Sequence, residues 1–193
     1  MLAASDRQRT GVTSAYGRAP HTIPEWLEQP ERLELMNGRY IERPLPGVRE
    51  RMATTRVVRT LRDFFQGETP AWWLSARGDI QLGSDGFRPD IAAWRRARSP
   101  QPPQGWPVIQ RPDWICEVLS AASDFVWKLR LFHQAGVPHF WVLDAENEAL
   151  AVFRHEPLGY LNVLTAERGE VVRAEPFEAI EINVGMLLGD DPE

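Results

Sequence analysis

Asp113-Trp-Ile-Cys-Glu-Val-Leu119, followed closely by Asp124-Phe-Val-Trp-Lys128, is the stretch on which the reading of this chain turns. Its first part, rich in apolar and β-branched residues, predicts a buried strand. Glu117 interrupts that run, and a carboxylate there is costly unless it is paired, hydrogen-bonded or bound to a metal. With a strand end near Ser120, Glu117 lies about 10 Å back along it, at roughly 3.3 Å per residue. A helix spanning Asp124 to Gln134 puts Lys128 about 6 Å along its axis, at about 1.5 Å per residue. A lysine side chain closes that difference, so ammonium and carboxylate can meet. An Asp124–Lys128 pair at i,i+4, worth only about 0.2–0.5 kcal/mol, is the plainer alternative, and the two contacts are compatible.

Working outward, Phe87 to Trp94 predicts the neighbouring strand, with Asp90 directly after Pro89. Two carboxylates on adjacent strands, a backbone carbonyl and waters suit Mg²⁺, which takes few protein ligands. Such an ion polarises a phosphoryl oxygen and lowers the pKa of an attacking water. Lys128 is the one lysine among 22 basic residues. Arginine replaces lysine over most surfaces, but not where a compact ammonium must stand beside reacting groups. Lys128 is therefore the first candidate for chemistry, with chance retention of a single lysine as the alternative.

Around this core the elements read as a mixed α/β chain. Pro24 to Gln29 predicts a helical turn, and Leu33–Met36 and Arg39–Glu42 flank Asn37-Gly38, a preferred hairpin turn. Val48 to Phe65 has apolar residues at helical spacing with arginines between them. Strands are predicted at Trp72–Ala76 and Asp79–Leu82, with a turn at Ser84–Gly86. Five prolines make Ser99–Pro112 a loop. Further strands are predicted at His139–Asp144, Leu150–Arg154, Tyr160–Leu164 and Glu170–Arg173. The expected organisation is a loose arm over residues 1–22, one domain over 23–189 and a short tail over 190–193.

Length and composition exclude several classes. With 193 residues, 43% of them hydrophobic, the chain can bury a core. No apolar run approaches the roughly 18 residues of a membrane span, and no signal-peptide core stands at the start, so a soluble cytoplasmic protein is expected. Walker, nucleophile-elbow, zinc-helix and dinucleotide signatures are absent. Cys116 with His133 or His139 could form a thiol–imidazole pair, but a thiol in mid-strand reads better as a small buried side chain.

The net charge of −5 hides an asymmetry. Residues 1–111 hold 17 Arg and 12 acids; residues 112–193 hold 5 basic residues and 15 acids. Five arginines between Arg49 and Arg62 stand against Glu50 alone, so Arg49, Arg51, Arg56 and Arg59 are candidates for contacting nucleic acid. A solvated helix face has the same signature.

Phe87-Arg-Pro-Asp90, Ile115-Cys-Glu-Val-Leu-Ser120, Asp124-x-x-x-Lys128, Ala135-Gly-Val-Pro-His-Phe-Trp-Val-Leu-Asp144 and the hairpin Leu33-Glu-Leu-Met-Asn-Gly38 together resemble the Uma2 family of restriction-endonuclease-like proteins. The resemblance runs from about Pro24 to Gly189. It implies the PD-(D/E)xK nuclease fold, a central mixed sheet flanked by helices. It also implies a phosphodiesterase core dependent on Mg²⁺ or Mn²⁺, with Asp90 and Glu117 as metal ligands and the Val118 carbonyl as a third candidate. The lysine of that motif falls two residues after Glu, where this chain has Leu119, and Lys128 on the following helix takes its place. Glu34 matches a family carboxylate and either completes the site or is an ordinary exposed strand residue.

Three positions depart from the family pattern: Ser120-Ala-Ala-Ser123 replaces Ser-Pro-Ser, Arg49-Glu-Arg51 stands where a His is common, and His139-Phe-Trp141 replaces Glu-Tyr-Trp. The resulting expectation is an endonuclease acting on DNA. Its rival is a non-catalytic module on the same scaffold that binds nucleic acid or protein. Eight tryptophans and the short apolar strands near the C-terminus supply either core or a homodimer surface.

Overall fold

The computed structural model describes residues 19–64, 71–119 and 126–191. The Asn37-Gly38 hairpin forms. Strands β1 (Leu33–Met36) and β2 (Arg39–Glu42) pair antiparallel across it, with φ of 49° at Asn37 and 71° at Gly38. Two consecutive left-handed residues are what a type I′ turn needs. Before the hairpin, helix α1 (Ile23–Leu27) buries Trp26, whose indole Nε1 donates to the Leu33 carbonyl at 2.7 Å.

After helix α2 (Val48–Phe64) come β3 (Trp72–Ala76), β4 (Ile80–Leu82), β5 (Asp85–Phe87) and β6 (Ile91–Arg95). Here the structure corrects two expectations. The run Phe87–Trp94 is not one strand, because β5 and β6 belong to different sheets. Pro89 has a fixed φ and no N–H to donate, so a continuous ladder cannot pass through Arg88-Pro89-Asp90. The turn lies at Gly83-Ser84, not Ser84–Gly86; Gly86 sits within β5, opposite Gln81 and Leu35. A side chain at Gly86 would put its Cβ 2.4 Å from the Trp26 ring, so packing accounts for this glycine.

Strands β7 (Trp114–Leu119), β8 (His139–Asp144), β9 (Ala149–Glu156) and β10 (Gly159–Glu167) complete the larger sheet. Its order is β10-β9-β8-β7-β6-β3, and the smaller sheet runs β2-β1-β5-β4. Only β7 and β8 pair parallel in the larger sheet. Parallel neighbours need a crossover, and helix α3 (Val126–Gln134) provides it. The Asp124 start expected for this helix, and with it the Asp124–Lys128 pair, lies outside the described residues. The chain closes with β11 (Val171–Val172), β12 (Ile182–Asn183) and helix α4 (Val184–Leu188).

Side chains of β7 alternate between two cores. Trp114, Cys116 and Val118 pack with Ala53, Val57 and Leu61 of α2. Ile115 and Leu119 join Phe132 of α3 and Phe140 on the opposite face. By the two-residue period of a strand, Glu117 shares this second face, towards α3. The first residues of the expected tail are tied down: Asp190 pairs with Arg168, and Asp191 with Arg56. Among the described residues no helix is long and apolar enough to cross a membrane.

Candidate active site

Three elements and two connecting segments bring five charged side chains to one buried place. Glu34 comes from β1, Asp90 from the break between sheets, Glu117 from β7, Lys128 from α3 and Arg43 from the residue after β2. Lys128 Nζ lies 2.9 Å from Glu117 Oε1 and 3.3 Å from Glu34 Oε1. Asp90 Oδ2 accepts a hydrogen bond from the Val118 N–H at 2.9 Å, which ties the break to β7. Glu34 Oε1 also accepts from the Arg88 N–H at 3.1 Å. Glu34 is 0% exposed and Lys128 3%, so of the two alternatives for Glu34 the exposed strand residue is excluded.

Arg43 carries no motif and was not singled out from the sequence, yet it stands at the centre. Its Nη2 lies 3.1 Å from Asp90 Oδ1 and 3.4 Å from Glu117 Oε2, and its Nε is 3.8 Å from Glu34 Oε1. Nη1 donates to the Arg88 carbonyl. One nitrogen touching both Asp90 and Glu117 means that the two carboxylates face each other across a single guanidinium. The only sequence signal was position: Arg43 ends the hairpin just before Pro44.

Three carboxylates against two cations leave one excess negative charge by formal count. Glu117 responds by holding its proton more tightly. Burial raises its pKa, Lys128 and Arg43 oppose the rise, Asp90 and Glu34 add to it, and the result is about 7. Burial alone would lower the Arg43 pKa, but Glu117, Glu34 and Asp90 hold it above its ordinary value.

The oxygens present are of the donor type that a hard divalent cation takes. Glu34 Oε2 is buried without a hydrogen-bond partner among the described residues, and Glu117 Oε1 has only the ionic contact with Lys128. An adjoining cavity of about 80 Å³ is lined by Arg43, Asp90, Glu117, Val118, Trp127 and Lys128. That is ample for an ion with waters, since one water needs roughly 10–15 Å³. As the side chains stand, no three His, Cys, Asp or Glu residues among those described enclose an ion-sized point. Arg43 fills the space between two of them.

Other sequence candidates separate in space. Arg49, Arg51, Arg56 and Arg59 all lie on α2, but at about 100° per residue Arg51 points well away from Arg49 and Arg56, with Arg59 between them. Arg51 lines a second cavity that also touches Arg43 and Asp90. Arg56 is instead ion-paired with Asp191 at 3.0 Å. The basic run is thus not a single face. Cys116 points into the opposite core, and burial drives its thiol pKa well above the ordinary value, so a thiolate nucleophile is not available there.

A family model described as "Uma2: Putative restriction endonuclease" matches residues 20–185, most of the chain. The chain belongs to the Uma2 family. A solved structure similar to this Uma2 chain is described as a putative nuclease belonging to DUF820 from Anabaena variabilis ATCC 29413. The two superpose with a TM-score of 0.69 at 19% identity, covering 88% of this chain and 98% of the other. At that identity the likeness speaks for the fold: a mixed sheet flanked by helices. No curated protein matches the chain.

Proposed function

We propose that this Uma2 protein is an endonuclease that hydrolyses phosphodiester bonds in DNA with Mg²⁺ or Mn²⁺ as cofactor. The observation that carries this reading is the convergence of Asp90, Glu117 and Lys128, joined by Glu34, at the floor of an open cavity. Asp90 and Glu117 would hold the ion, with the Val118 carbonyl as a further oxygen beside them. When bound, the ion supplies Lewis-acid stabilisation of a phosphoryl oxygen and a more acidic water.

The residues of the chain do the positioning. The Val118 N–H fixes the Asp90 carboxylate, and Glu34 and Glu117 hold the Lys128 ammonium at the cavity floor. An ammonium so held stabilises charge developing on a phosphate in surroundings where water is scarce. Glu117, with a pKa of about 7, can hold or release a proton near neutral pH.

One observation favours the rival, a non-catalytic binding module. Arg43 already neutralises Asp90 and Glu117, as a retired metal site would require. Cleavage of supercoiled and linear DNA with Mg²⁺, Mn²⁺ or EDTA separates the two. The nuclease reading expects metal-dependent nicking that is lost in Asp90→Asn and Glu117→Gln. Absence of cleavage with either ion, at protein concentrations that bind DNA, rejects it. The exposed Leu158 and Leu161, at the turn into β10 and on that edge strand, support the homodimer expectation, which sedimentation would test.

A further inference from the structure

The second cavity, of about 340 Å³, lies within the range of ligand pockets, about 300–1,000 Å³. Arg43 and Asp90 form part of its wall, so it opens beside the acidic cluster. Five arginines line it against three acids, Glu31, Asp79 and Asp90. Three of the five are engaged by carboxylates: Arg32 by Glu42, Arg88 by Asp79 and Arg43 by the acidic cluster. Among the described residues the other two have no acidic partner. Among the described residues the Arg51 guanidinium donates only to the Pro46 carbonyl, at 2.6 Å, and no side-chain hydrogen bond or ion pair holds Arg77.

Arg77 carries a second distinction. Its φ is 55°, the left-handed region that side chains disfavour, although Gly78 is its neighbour. The Arg77 N–H donates to the Asp90 carbonyl at 3.1 Å, so this backbone is fastened to the break that carries the candidate metal ligand. A disfavoured conformation thus presents an exposed, unpartnered guanidinium to a cavity that shares Asp90. Strain of this kind collects at ligand sites.

We propose that Arg77 and Arg51 form a phosphate-binding subsite for the nucleic-acid backbone, seating the phosphodiester next to the one placed over Asp90 and Glu117. The inference rests on the nuclease reading for its choice of ligand. Guanidinium groups suit the task because their forked donors match phosphate oxygens. Placed outside the acidic cluster, they hold the backbone without neutralising the carboxylates. The pair fixes register along the strand and carries no base selectivity.

Arg77→Gly is the decisive variant, since glycine accepts a φ of 55° and only the cation is lost. Affinity for a fluorescent duplex oligonucleotide would be measured in EDTA over a range of salt concentrations, beside Arg51→Gln and the double variant. Arg173→Gln serves as control: it pairs with Glu181 and lines neither cavity. Each subsite variant should flatten the slope of log affinity against log salt by about 0.9, and the double variant by about twice that. Arg77→Gly should also keep the parental Tm or exceed it, and with Mg²⁺ should raise KM while leaving kcat unchanged. Parental slope and affinity in Arg77→Gly, or a lowered Tm that accounts for the loss, overturns the subsite. A parent that binds through Arg77 and Arg51 but cuts nothing keeps the subsite and rejects the nuclease. A parent that cuts, with Arg77→Gly indistinguishable from it, does the reverse, and a parent that binds no DNA rejects both.

Discussion

Glu117→Gln should change how stability depends on pH, by an amount that follows from the acidic cluster. Glu117 titrates near 7 in the folded protein against an ordinary 4.5, chiefly because it is buried. A group that holds its proton more tightly when folded stabilises the protein below its unfolded pKa. That contribution is lost as pH rises through the folded value. At 1.36 kcal/mol per unit, the interval from 4.5 to 7 corresponds to about 3 kcal/mol. His139 acts in the opposite direction. Burial, then Arg95, lowers its pKa from 6.5 to about 4, so its contribution is complete above 6.5 and lost as pH falls towards 4. In the parent the two effects oppose each other below about pH 6.5, and the Glu117 loss shows mainly near 7. In Glu117→Gln only the His139 rise remains. The difference between variant and parent cancels His139 and should grow in favour of the variant by about 3 kcal/mol from pH 4.5 to 8. Urea unfolding at intervals across that range, in EDTA and with m-values compared, measures it. Parallel profiles for the two proteins would refute the raised Glu117 pKa on which the prediction rests.

Lys128→Arg keeps the charge but places a planar group in a slot where the lysine is 3% exposed, and should lower cleavage by about 10²-fold or more. Equal single-turnover rates would withdraw the special role of this lysine. Arg43→Gln removes a charge-assisted contact of about 1.5 kcal/mol that competes for Asp90 and Glu117, so calorimetry should find Mn²⁺ binding about tenfold tighter. Weaker binding would show that Arg43 assists the ion. Gly86→Ala forces a Cβ against the buried Trp26 ring and should cost about 1–3 kcal/mol in thermal unfolding; an unchanged Tm would mean that the indole shifts freely.

The strand around Glu117, the helix of Lys128 and the Asn37-Gly38 hairpin were legible because periodicity and turn chemistry are local. Burial of Glu117 was legible for the same reason, as a charge placed in an apolar run. The two-sheet division was not. Phe87 to Trp94 has the composition of one strand, and its break depends on which sheet each half can join. Pro89 marked the place, but nothing local says that the chain changes sheets there. Helix α4 was overlooked although its ends are signalled: Asn183 Oδ1 accepts from the Gly185 N–H at 2.9 Å, and Gly189 closes the helix at φ 115°. Arg43 and Arg77 could not be found, since their importance arises from neighbours distant in sequence. The separation of Arg51 from Arg56 could have been read from the helical period, but the charge count treated them as one run.

The acidic cluster takes Glu34 from one sheet and Glu117 from the other, with the Arg88–Asp90 passage as one covalent link between the sheets. It therefore works as a clasp. If the hairpin layer lifted away, the ladder of the larger sheet would persist, yet Lys128 would lose one of its two carboxylates and Asp90 and Glu117 would lose Arg43. The cluster thus reports on the docking of two layers, and a local opening too small to register as unfolding would take it apart.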